Sequence, residues 1–247
     1  MTLWATAALA ILVGTVLQRV SGTGVGLVCA PILALLLGSA QGVLVTNATT
    51  TMSGLLIGLS VRRDIEWRRA GLVIVSAAPG AVAGALLVRA LSAAWLQIVI
   101  GGVVVLALVT SVALPRLPHW GGRLPTVVAG AIGGLFNTTA GVAAPVMVVY
   151  SRLARLEQAT FAATLQPIFM AMGAMSVILK TTLAPTSGEL PPPWFLPVVL
   201  ATVIVGIVLG GRVSRHVEAG QARTLALGLA GLGGATTLVR GVLALVG

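Results

Sequence analysis

Residues 125–151 read PTVVAGAIGGLFNTTAGVAAPVMVVYS. Both flanks are apolar, but the middle, FNTTAGVAAP from Phe136 to Pro145, is small, polar and glycine-bearing. Such a stretch does not continue a helix smoothly. A second interruption, SGTGVG from Ser21 to Gly26, lies between two short apolar runs at 3–17 and 27–38. Around these two places the chain is a series of further apolar runs: 42–61, 70–91, 95–114, 158–183, 194–211 and 222–246.

Over the 247 residues, 57% are hydrophobic and 8% charged, and the mean hydropathy is +1.08. A soluble domain carries about 25% charge and cannot hide so much apolar surface. An ordinary soluble enzyme, a disordered chain and a disulfide-stapled domain are excluded; the single cysteine, Cys29, leaves no internal disulfide. The chain reads as a polytopic membrane protein in contact with a lipid bilayer. Barrel strands alternate apolar and polar residues, whereas these runs are continuously apolar, so they read as helices. The net charge of +10 points to no nucleic acid: its arginines sit in short loops, as the positive-inside bias predicts. No secretory signal is expected, because residues 2–18 lack a basic n-region.

The interruptions recur because the chain reads as a duplication. Ala30-Pro31 after the first matches Ala144-Pro145 after the second, and Thr50 then matches Thr164 at the same offset. Further on, GAVAGALLVRAL from Gly80 matches GIVLGGRVSRHV from Gly206, with Gly84 on Gly210. The difference in spacing falls in the proline-rich stretch 182–193. If each broken element crosses once, the loop arginines favour neither face. If each enters and returns, eleven loop arginines share one face and Arg89 alone takes the other. Matching loops also swap charge character: 62–69 is arginine-rich and its partner 181–193 has none. Copies of opposite orientation produce such a swap. The expected fold is all-α, two inverted repeats (1–114 and 125–247) in one transmembrane domain spanning 1–247. Each repeat is a broken or re-entrant helical element plus three transmembrane helices. Both termini are expected outside and the arginine-rich loops in the cytoplasm.

Three stretches resemble the TauE/SafE family of sulfite-exporter-like membrane proteins: GTGVGLVCAPILALLLG, the segment VLVTNATTTMSGLLIGLSVRRDIEWRRAGLVIV, and PGAVAGALLVRALSAAWLQIVIGGVVVLALV. The pattern returns in GAIGGLFNTTAGVAAPVMVVYSRLARLEQATFAATLQPIFM. The resemblance covers nearly the whole chain. It implies export of a small organic or sulfur-containing anion, such as sulfite or a sulfonate, across the cytoplasmic membrane. The second copy carries Asn137, Thr138 and Thr139 where the family's stretch carries glycines.

All five acidic residues and both histidines fall in loops or at helix ends. That pattern offers no metal site, no membrane hydrolase and no usual proton relay. Neither a metal nor a cofactor is expected, and a coupled proton would travel on the substrate as its conjugate acid. What remains is an anion site. A helix starting at a break presents free N–H groups and a partial positive charge. The candidate donors are the backbone around Gly24, Gly26 and Gly141, and the side chains of Ser21, Thr23, Asn137, Thr138 and Thr139. Arg19 abuts the first break as a functional or snorkelling cation. Asn47, Thr50, Thr164 and Gln166 offer polar positions on the helices that follow. The glycines could instead serve close helix packing. Lys180 is read as snorkelling to the outer interface, Arg240 and the helix-end tryptophans as interfacial anchors, and Cys29 as a small packing residue. The rival functions are a passive anion channel of the same fold and a structural subunit of a membrane complex.

Overall fold

The computed structural model describes residues 2–23, 25–113, 119–183 and 191–246. Their regular structure is ten α-helices. The first half holds α1 (Thr2–Ser21), α2 (Val25–Leu37), α3 (Ser39–Ser60), α4 (Trp67–Ala90) and α5 (Ala93–Ala113). The second holds α6 (Arg123–Ala140), α7 (Ala144–Leu153), α8 (Gln158–Leu183), α9 (Phe195–Val213) and α10 (Ala219–Val246). Seven of them, α1, α3, α4, α5, α8, α9 and α10, are long and apolar enough to cross a membrane. This is an all-helical, polytopic membrane protein. Leu225, Leu232, Val239 and Leu243 of α10 and Val205 and Val208 of α9 point outward, a surface suited to hydrocarbon rather than water. The most deeply buried spans are α3 and α8.

The interruptions are narrower than the sequence suggests. Helix α1 runs through Ser21 and α6 through Ala140, so the first break opens at Gly22 and the second is residues 141–143. Asn137, Thr138 and Thr139 are therefore helical. Their side chains do not unwind the turn because Thr139 Oγ1 donates to the Leu135 carbonyl at 2.8 Å, a bond made within the helix. The turn ends at Gly141, whose φ of 73° is left-handed; glycine adopts that conformation without a Cβ penalty.

Both broken elements fold back. The Cys29 thiol contacts the Ala10 carbonyl at 3.4 Å, whereas one straight helix would separate these residues by roughly 28 Å. Thr126 Oγ1 and the Tyr150 hydroxyl are 2.9 Å apart, in place of roughly 36 Å along one axis. The return legs α2 and α7 have 13 and 10 residues, about 20 and 15 Å. Neither spans a core of about 30 Å alone. The chain then reverses again at Gly38 (φ 87°), which lets Gly42 of α3 pack on the backbone of Leu33 and Ala34. Pro31 lies inside α2 rather than ending it, and Thr237 donates to its carbonyl at 3.4 Å.

Two pairs of helices from the two halves of the chain pack antiparallel. Asn47 meets Ser176, Thr51 meets Gly173 and Gly54 meets Gln166, so α3 and α8 are antiparallel. Ala94 and Gln97 meet Gly241, and Leu108 meets Gly231, so α5 and α10 are antiparallel too. Two further large contacts, α4 on α6 and α1 on α9, are parallel. Gly80 and Gly84 of α4 receive Ala131, Leu135 and Thr138 of α6, and Gly206 and Gly210 of α9 receive Thr15 and Arg19 of α1. A Cβ at any of these four glycines would meet the neighbour closer than 3.0 Å, so each pair is a small-residue seat for a close helix crossing.

Candidate functional site

The two breaks meet. Gly26, in the first turn of α2, lies against the carbonyl of Gly141, and a Cβ there would collide with it. Gly141 in turn rests on Ala30 and Thr46. Between them is a cavity of about 20 Å³ walled by Gln18, Gly26, Thr50, Asn137, Gly141 and Phe169, with Val25, Leu27 and Val142–Ala144. The starts of α2 and α7 both border it. Helix starts leave N–H groups without intrahelical acceptors. Those of Val142 and Ala143, outside any helix, find no acceptor among the described residues. Two partial positive helix ends thus share one small hollow, with room for a group the size of a water.

Two amide networks brace this hollow. Asn137 Nδ2 donates to Asn47 Oδ1 at 2.9 Å, and Asn47 Nδ2 donates back to the Asn137 carbonyl at 3.1 Å. Asn47 Nδ2 also donates to Ser176 Oγ at 2.7 Å, which uses both of its hydrogens. Asn137 keeps one amide hydrogen without a partner among the described residues, on the cavity wall. On the other side, Gln18 Nε2 donates to Gln166 Oε1 and Ser53 Oγ donates to Gln18 Oε1, both at 2.9 Å. Gln166 Nε2 donates to the Gly22 carbonyl in the first break at 3.2 Å and to the Ala162 carbonyl at 2.9 Å. All four amide side chains are buried. The pair Asn47–Asn137 and the pair Gln18–Gln166 each tie one half of the chain to the other.

A family model described as "Sulfite exporter TauE/SafE" matches residues 6–237, nearly the whole chain and both breaks. The chain belongs to the TauE/SafE sulfite exporter family. No curated protein and no solved structure matches it. The family is one of membrane transporters.

Of the remaining expected residues of this TauE/SafE chain, Thr50 also lines the cavity and the others fall elsewhere. Ser21 Oγ donates to the Leu17 carbonyl at 2.8 Å and accepts from the Thr23 N–H at 3.3 Å, so it shapes the turn. The Thr50 hydroxyl lines the cavity but gives its hydrogen to the Thr46 carbonyl, leaving only acceptor capacity toward a ligand. Thr138 faces Gly84 of α4. Thr164 accepts from the Glu66 N–H at 3.1 Å and so caps α4 instead of lining the cavity. Arg19 lays its Cβ and Cγ on Gly210, is half-buried, and is absent from the cavity wall. Gly24 lies outside the described residues. Gln18 was missed by the sequence reading: its signal was a lone amide in an apolar run one turn before the break, overshadowed by its neighbour Arg19.

Lys180 departs from its expected place. Its side chain is buried (3% exposed) and its Nζ has no hydrogen-bond partner among the described residues, so it does not snorkel to the surface. A buried donor left unpaired costs about 1–3 kcal/mol. Lys180→Met is therefore expected to raise the thermal midpoint of the purified protein by several degrees. A lowered midpoint would contradict this account of the side chain.

Proposed function

We propose that the protein is a secondary transporter, working as an exporter, of a small organic or sulfur-containing anion such as sulfite or a sulfonate. The anion binds where the starts of α2 and α7 converge. The observation that carries this reading is Gly26 seated on the Gly141 carbonyl beside a hollow that both helix ends border. Helix ends bind anions without a cationic side chain, and the cavity wall adds amide donors from Asn137 and Gln18. The hollow is too small for an oxyanion of four or more atoms, so binding requires α2 and α7 to move apart. A cradle shared between two bundles and exposed by their relative rocking is the alternating-access arrangement of transporters with broken helices.

In this reading the two halves, 1–114 and 125–247, are inverted copies within one transmembrane domain. The antiparallel packing of α3 on α8 and of α5 on α10 supports it, as do five helical legs per half, an odd number that delivers the second half from the opposite face. The arginine-rich loops face the cytoplasm and both termini face outward.

Purified protein in liposomes, screened with sulfite, thiosulfate, short sulfonates and short carboxylates, tests the proposal. Saturable, counter-substrate-stimulated movement of at least one of these is expected. Unsaturable flux without exchange would favour a passive channel, and no flux with any of them would leave the structural-subunit reading.

A further inference from the structure

A second cavity, of about 10 Å³, adjoins the cradle. Leu27 and Ala144 belong to the walls of both, so the two hollows lie in series. The rest of the second wall includes Thr23 of the first break, Pro145 of α7, Ser111 of α5 and Arg223 of α10. Arg223 is half-buried, and its Nη2 is enclosed without a hydrogen-bond partner among the described residues. The Arg152 guanidinium is close enough to repel it, and is itself tied to the carbonyls of Thr110 and Ser111 at 3.1 and 3.2 Å. Enclosing a guanidinium nitrogen with no acceptor, beside a like charge, is unfavourable for a purely structural side chain. The complement of that environment is an oxyanion, which a guanidinium binds through paired N–H donors.

We propose that Arg223 is the cationic station that receives the transported oxyanion on the arginine-rich side, and that the anion passes the Leu27–Ala144 constriction to reach the cradle. The inference rests on the transporter reading above and adds a second, sided subsite to it. Arg223 recruits the anion without touching it in the cradle, so its removal weakens capture from one face only.

The test uses the full chain in liposomes of sorted orientation, with sulfite, thiosulfate and a short sulfonate assayed separately from each face. Arg223→Gln is expected to raise KM at the arginine-rich face about tenfold, the loss of one charge-assisted hydrogen bond. KM at the opposite face and kcat from the arginine-rich face should stay within about twofold, while kcat from the opposite face falls about tenfold, because microscopic reversibility ties kcat/KM in the two directions; Arg223→Lys should recover part of the loss by keeping the charge. An unchanged KM at the arginine-rich face, or an equal rise at both faces, overturns the inference while leaving the transporter reading intact. A wild-type chain that moves none of the three anions overturns the transporter reading, and the inference with it.

Discussion

Gly26→Ala is expected to lower anion transport about a hundredfold and to reduce the thermal midpoint. The added methyl would collide with the carbonyl of Gly141. That carbonyl belongs to a residue held in a left-handed turn and also packed against Ala30 and Thr46. The strain must therefore push α2 and α7 apart. Overpacking of this kind costs about 1–3 kcal/mol, and displacing a binding geometry by about 1 Å can cost two orders of magnitude in rate. The same substitution at Gly102 of α5 meets nothing within 4 Å and gains helix propensity, up to about 1 kcal/mol. One methyl group should thus be harmful at one glycine and neutral or stabilising at the other. Transport by Gly26→Ala at the wild-type rate would show that the meeting of the two breaks is incidental.

Asn137→Leu is expected to raise KM for the transported anion at least tenfold and to destabilise the bundle by about 1–3 kcal/mol. Two losses combine. The cavity loses the Asn137 amide hydrogen that is not committed to Asn47, and Asn47 Oδ1 is left buried without its donor. Asn47→Leu removes only the support: Asn137 would keep its place on the cavity wall but lose its orienting partner. The two substitutions share one network, so their combined cost should fall well short of the sum. Measuring KM and thermal midpoint for the two single variants and the double variant checks both statements. Wild-type KM in both single variants would reduce the amide pair to helix glue, which in membranes is worth about 0.6 kcal/mol on average.

Much of this architecture was legible from apolar run lengths and from two flaws in them. Continuous apolar segments identify spans because lipid imposes a single solvent on every face. The arginine distribution pointed to broken elements that return, and the contacts of Ala10 with Cys29 and Thr126 with Tyr150 show that they do. Gly84 and Gly210 stood out in the sequence by their spacing, and each seats a neighbouring helix closely, α6 on the one and α1 on the other. The site was harder to read. Threonines beside the break look like ligand donors in sequence, yet Thr50 and Thr139 spend their hydrogens on carbonyls one turn back, a local bond that no spacing announces. Thr164 shares a polar helix with Gln166, but only the tertiary packing sends one to the α4 cap and the other to the first break. Gln18 and Arg223 escaped for a related reason. Their importance depends on which helix face looks inward, and periodicity is weak where nearly every position is apolar.

The most direct test of the central claim is to locate a bound anion. Selenite has the shape and charge of sulfite, and its selenium scatters anomalously. In crystals of the full chain grown with selenite, the account predicts an anomalous peak between the first turn of α2 and residues 141–143, within hydrogen-bond distance of Asn137. A well-ordered structure with its selenium peak at the surface, or with none between the two breaks, would contradict it.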